Sequence, residues 1–168
     1  MSNHLNALKN AARNHIETRM ESSRVSQQAF QEWREQLRNL INGVASWVHP
    51  LHELDGFSVK GIEFTYSSTD ASGRKAEQKG PGLKLTFADT ELLIGPSYIN
   101  IGWAPEVPML CSGAVTIVGL GMKDTCQLHY FNGAFNTFTY GDKNGPIGDI
   151  SFSTLLASIL PELKASAT

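Results

Sequence analysis

The sequence predicts an α+β protein: two N-terminal helices, a six- or seven-stranded antiparallel meander sheet, and one C-terminal helix packed on the sheet. Three observations predict it. Residues 3–48 contain no proline and one glycine and are rich in Ala, Leu, Arg, Glu and Gln, which lose least on entering a helix. After Asp55-Gly56 the apolar period falls to two, the signature of strands. Beyond residue 149 the helical period returns, and helices flanking an unbroken run of strands argue against alternating βαβ units. The expected organisation is one domain over 1–168, with a helical segment at 1–48, the sheet at 56–141 and the last helix at 149–163. At 168 residues and 41% hydrophobic, the chain can bury a core of its own.

In the first segment, Leu5, Leu8, Ala12, Ile16 and Met20 form one helical stripe. Phe30, Trp33, Leu37, Leu40, Ile41, Val44 and Val48 form another. Ten residues separate Met20 from Phe30, so the second stripe lies roughly 80° round the axis from the first at about 100° per residue. A break near Glu21-Ser22-Ser23-Arg24 would resolve the mismatch, with Ser23 or Ser26 capping a second helix. The second helix has the wider apolar face and is expected to lie across the sheet. It stops at His49-Pro50, since a residue before proline is pushed out of the α region. The first is diluted by alanines and asparagines, which predicts loose docking or an oligomer contact.

In FSVKGIEFTY the apolar residues change parity across Gly61, which predicts a β-bulge there. Ser67 to Pro81 is polar, without apolar period, and reads as a mobile loop. Leu83, Leu85 and Phe87 mark a half-buried strand, and Leu92 to Ile94 starts the next. Pro96 must sit at an edge, a bulge or a strand end because it cannot donate to the ladder. Alternation resumes through Ile99, Ile101 and Trp103, and Met109 to Leu120 gives a further strand with a break expected at Gly113. Phe152, Leu155, Leu156, Ile159, Leu160 and Leu163 then form the stripe of the last helix, which Pro161 should end near Leu160.

The strongest local signal is TCQLHYFNGAFNTFTY, residues 125–140, where Asn132-Gly133 joins two apolar runs. Asn-Gly meets the positive-φ demand of a type I′ turn at the lowest steric cost, so a β-hairpin is predicted. A regular two-residue hairpin sets Tyr130 opposite Phe135 and His129 opposite Asn136. His129, Phe131, Asn136, Phe138 and Tyr140 would then share one face, an uncharged aromatic surface suited to binding. The same face could instead be covered by the protein's own helices.

No phosphate-binding loop, dinucleotide fingerprint, HExxH or CxxC pair occurs, so no catalytic residue is assigned, no cofactor is expected, and the chain leans away from being an enzyme. His49 and His52 in HPLHELD are weak metal candidates, weighed against histidines that simply follow a helix C-terminus. Cys111 and Cys126 read as free buried thiols. The net charge of −2 gives no reason to expect nucleic acid or an anionic membrane as partner. No apolar run reaches the roughly 18–20 residues of a membrane span. With no leader-like segment after Met1 and only two cysteines, a cytoplasmic location is expected.

The functional expectation is a non-catalytic cytoplasmic protein-binding module, such as an immunity protein or secretion chaperone. Its partner would be another protein, with a homo-oligomer through the N-terminal helices also admitted. The alternative is a small-molecule-binding protein or enzyme with a pocket between sheet and helices, built from His129, Asn136, Tyr140 and Tyr98.

Overall fold

A computed structural model of the chain describes residues 2–166. The architecture is α+β: one long helix, α1 (Ser2–Trp47), a seven-stranded antiparallel sheet, and α2 (Asp149–Ile159). Short 3-10 helices cover His49–Glu53 and Leu160–Glu162. The strands are β1 (Phe57–Thr69), β2 (Lys75–Phe87), β3 (Thr90–Ala104), β4 (Val107–Gly119), β5 (Cys126–Phe131), β6 (Ala134–Tyr140) and β7 (Lys143–Pro146). Their order in the sheet is their order in the chain, as expected of a meander.

The N-terminal segment is one helix of 46 residues where two were expected. The phase change between its stripes is real, but its cause is a change of surroundings. Residues 2–20 are exposed throughout, and burial begins at Ser22 and Val25. The expected break is bridged within the helix: Arg24 pairs with Glu21 and donates to Gln28 Oε1. Ser26 caps nothing in α1; its Oγ accepts the backbone N–H of Ala71 at 2.9 Å.

Val25, Ala29, Trp33, Leu37, Leu40, Ile41 and Val44 of α1 seat that helix on the sheet, and Phe152, Leu155, Leu156 and Ile159 of α2 join the same core. The two helices meet where Trp47 lies 5.5 Å from Phe152, centroid to centroid. Trp33, 0% exposed, is the centre of this layer: its ring lies 5.9 Å from Tyr66, 4.9 Å from Tyr130 and 5.5 Å from Phe135. Gly113 makes room for it. Strand β4 runs through this residue without the expected break, and a Cβ there would come within 3.0 Å of Trp33 Cζ3.

The β1–β2 ribbon corrects two expectations. Its register is continuous from Phe57–Phe87 to Thr69–Lys75, so Gly61 is no bulge. The parity change reflects the twist of a two-stranded ribbon, which turns first one face and then the other towards the body. The segment 67–81 is ladder, not mobile loop: only Asp70–Arg74 turns, held by Asp70 Oδ1, which accepts from the N–H and hydroxyl of Ser72 and from the Arg74 N–H. Polar composition had hidden a strand pair whose sides largely face solvent.

β2 follows β3 only as far as Leu83–Ile94, after which β1 takes its place in parallel pairing, Ser67–Thr69 beside Tyr98–Asn100. Pro96 sits in the gap between these two ladders, beside the register shift before Tyr98, which is where a residue without an N–H costs least. The seventh strand, β7, lies in the Gly-rich stretch expected to be loop; short, polar and ending in proline, it suits a sheet edge. The C-terminal helix ends at Ile159 and tightens into the 3-10 turn at Pro161, close to the expected stop. Among the described residues, no helix is long and apolar enough to cross a membrane.

Candidate functional site

The hairpin forms as the Asn-Gly signal requires, with φ of 43° at Asn132 and 98° at Gly133. Asn132 also ties the turn to β4. Its N–H donates to the Cys111 carbonyl at 2.8 Å and its Oδ1 accepts from the Cys111 N–H at 2.7 Å, a pair that extends the ladder past the strand end.

The register then departs from the regular hairpin. Phe131 faces Ala134 and Tyr130 faces Phe135 as expected, but His129 faces Thr137, leaving Asn136 as an extra, bulged residue. Every later β6 residue is thereby turned to the opposite side. Phe138 now opposes Leu128 and Tyr140 opposes Cys126, on the face covered by the helical layer. The bulge is stabilised because the Asn136 carbonyl accepts from Ile147 N–H at 3.0 Å. Asparagine, a weak strand former next to a tightly twisted turn, is a favourable place for it.

The five expected binding-face residues are accordingly divided. His129 and Phe131 lie on the open face, His129 half-buried with Nε2 2.8 Å from Thr139 Oγ1, and Phe131 56% exposed. Asn136 is exposed at the bulge. Phe138 packs against the edge of the core, over Gly145. Tyr140 is buried, and its hydroxyl donates to Glu162 Oε2. Burial, then the Glu162 hydrogen bond, pushes the Tyr140 phenol above its ordinary range; the Tyr140 hydrogen bond in turn holds Glu162 below the usual carboxylate value. Tyr98 stands two strands from His129, with Ala114 between them, on the open face.

The pocket imagined between sheet and helices is therefore not assembled by these residues. What the open face offers instead is breadth. Between Leu93–Val118 at one end and Gly102–Leu110 at the other, its rungs across β3, β4, β5 and β6 include Thr116–Gln127–Thr139, Tyr98–Ala114–His129–Thr137 and Asn100–Ser112–Phe131. No charged side chain stands on these rungs, and Val118, Leu110 and Phe131 are exposed hydrophobics. Charge depletion with aromatic and aliphatic residues present is the composition of interface cores.

The second feature is the free half of α1. Over residues 2–20, about 28 Å of helix at 1.5 Å per residue, nothing is buried. Leu5, Leu8, Ile16 and Met20 are 52%, 65%, 57% and 68% exposed, so the first sequence stripe faces solvent along its whole length.

His49 and His52 are exposed, their rings 5.3 Å apart, with His52 also edge-on to Phe57. Among the described residues no group of three His, Cys, Asp or Glu side chains is placed to hold a metal ion. Cys111 and Cys126 are free and buried. Because Cys126 pairs with Ile117, six residues along β4 from Cys111, the thiols stand roughly 20 Å apart at about 3.3 Å per residue. Burial, with the Glu32 carboxylate second, pushes Cys111 up to about 11, and burial alone pushes Cys126 up to about 12. Neither is a ready thiolate.

One site escaped the sequence reading. Ser22 and Ser26 point from α1 towards the β1–β2 turn and line a cleft of about 320 Å³ together with Arg19 and Arg74. The available signal was two serines at i, i+4 on the stripe that faces the body; the turn that meets them lies more than forty residues away, which sequence spacing does not reveal. The chain matches no protein-family model, no curated protein and no solved structure.

Proposed function

We propose that this chain is a non-catalytic cytoplasmic protein-binding module, of the kind represented by immunity proteins and secretion chaperones, with the free half of α1 as its docking element. The observation that carries this reading is the exposed stripe Leu5, Leu8, Ile16 and Met20 on a helical arm, residues 2–20, along which nothing is buried. A helix of this length gains little stability in water by itself and is stabilised chiefly by packing its apolar face. The uncharged open face of the sheet is the second contact surface, with Phe131 and His129 on it. Homo-oligomerisation through the N-terminal helices belongs to the same reading, because a second copy presents an equivalent stripe.

The test is Leu8→Glu combined with Ile16→Glu. Both residues lie outside the core, so the variant retains the far-UV circular dichroism of the body and its unfolding free energy to within about 0.5 kcal/mol. Sedimentation of the wild type shows a dimer, or a pulldown from native lysate returns one stoichiometric partner, and the double variant loses it. A wild-type chain that stays monomeric at high micromolar concentration and retains no partner overturns the proposal.

A further inference from the structure

We propose that the cleft at the root of the α1 arm is a binding site for a phosphoryl oxyanion, free or carried on a small ester. Its walls come from two distant parts of the chain: Arg19, Ser22, Ser23 and Ser26 of α1, and Asp70, Ser72 and Arg74 of the β1–β2 turn, with Gln27 and Phe30 completing it. At about 320 Å³ it has room for roughly ten waters at ~30 Å³ each, enough for a phosphate and a short carrier.

The donor arithmetic points to an anion. Arg19 and Arg74 each present a five-donor guanidinium. The ion pairs among the described residues are Arg24–Glu21, Lys79–Glu63 and Lys84–Glu91, so neither cleft arginine is engaged by a carboxylate. Ser22 is 6% exposed, lines the cleft, and has no hydrogen-bond partner for its hydroxyl among the described residues, whereas the Ser153 and Ser158 hydroxyls return to the carbonyl four residues earlier. Ser26, 7% exposed, accepts from Ala71 N–H and keeps its own O–H to donate.

One carboxylate stands on the wall. Asp70 Oδ1 is taken up by the Ser72 hydroxyl and the Ser72 and Arg74 N–H groups. Burial alone would raise its pKa, but these hydrogen bonds and the nearby Arg74 outweigh it and keep the group ionised. The cleft therefore carries two cations against one anion. Two guanidinium forks and two hydroxyls offer more donors than the roughly four lone-pair sites of a carboxylate can use, while a phosphoryl group brings three acceptor oxygens and up to two negative charges. Bound there, the anion would tie the first exposed turn of the arm to the body.

The experiment titrates the ¹⁵N-labelled full chain with inorganic phosphate, sodium chloride being adjusted to hold ionic strength constant. Saturable shifts of the Ser22, Ser72 and Arg74 amides are expected, with acetate binding about tenfold more weakly. Arg74→Gln and Arg19→Gln each weaken phosphate by about tenfold, the loss expected for a charge-assisted hydrogen bond of about 1.4 kcal/mol. Both side chains are exposed, so these variants keep the fold, and Ser22→Ala gives an independent check from the buried wall. O-phosphoserine binding tighter than phosphate supports an ester ligand, and equal binding supports the free ion. Linear, non-saturating shifts, or shifts unchanged in the Arg19→Gln/Arg74→Gln double variant, overturn the proposal. Since the arm's partner plays no part in this titration, its result is independent of the protein-binding reading.

Discussion

Replacing Gly113 with alanine tests whether α1 is seated as described. Gly113 lies between Ile99 of β3 and Tyr130 of β5, and a Cβ there would stand 2.7 Å from the Tyr98 carbonyl oxygen, 3.0 Å from Trp33 Cζ3 and 3.2 Å from Ile99 Cδ1. The carbonyl belongs to the neighbouring strand and cannot rotate away. Trp33 is held by three aromatic rings and is fully buried. The added methyl gains about 0.8 kcal/mol of burial and the loss of glycine's freedom in the unfolded chain gains about 0.4–1 kcal/mol. Overpacking into a rigid site costs about 1–3 kcal/mol, and here the backbone contact adds to it, so a net destabilisation of about 2 kcal/mol is expected. That corresponds to a melting temperature lower by about 4–8 °C in a chain of this size. Gly102→Ala is the control: it is exposed on the same strand pair, its nearest neighbour would be Leu110 O at 3.4 Å, and its unfolding free energy from urea titration should change by no more than about 0.5 kcal/mol. Equal midpoints for the two variants, measured by circular dichroism in urea, would refute the seating of Trp33 against β4.

Two further substitutions and a pH series follow from the same geometry. Asn132→Ala removes the acceptor for the Cys111 N–H and places a Cβ-bearing residue without a local hydrogen bond at φ 43°, for a loss of about 2–3 kcal/mol; Asn132→Gly should recover about 1 kcal/mol of it, and equilibrium urea unfolding separates the two contributions. Both thiols lie above the ordinary value of 9.0 in the folded protein, so the unfolded chain releases these protons first. Stability present below about pH 9 is therefore lost as pH rises towards 11 and 12, and Cys111→Ala/Cys126→Ala should flatten the decline of the urea midpoint over that window. A midpoint that falls equally steeply in the double variant would show that other groups, such as Tyr130 and Tyr140, account for the slope.

Local chemistry made much of the fold legible. The change of apolar period located sheet and helices, Asn132-Gly133 fixed the turn, Pro96 marked a register shift and Pro161 ended α2. The errors share a physical cause: each concerned where a residue's partner lies, which sequence periodicity does not contain. The stripe of α1 shifts phase because Leu5, Leu8, Ile16 and Met20 stay exposed while Trp33, Leu37, Leu40, Ile41 and Val44 are buried in the core. Lys75 to Pro81 form a strand because their ladder is with β1, whatever their composition. The site suffered most from one residue. The bulge at Asn136 reverses everything after it, so Phe138 and Tyr140 face the core while His129 and Phe131 face outward, and a period of two cannot anticipate an insertion that a backbone hydrogen bond from Ile147 stabilises.

The continuity of α1 has a consequence for orientation. Because the exposed stripe and the sheet-facing stripe share one unbroken helix, whatever seats on the arm is set about a quarter turn round the axis from the sheet and displaced along it by up to about 28 Å. The helix acts as a shaft that fixes a dihedral angle as well as a distance. One residue inserted between Met20 and Ser22 would turn the arm by about 100° while lengthening it by only about 1.5 Å, and four residues would bring it back to within about 40° of its original bearing one turn further out.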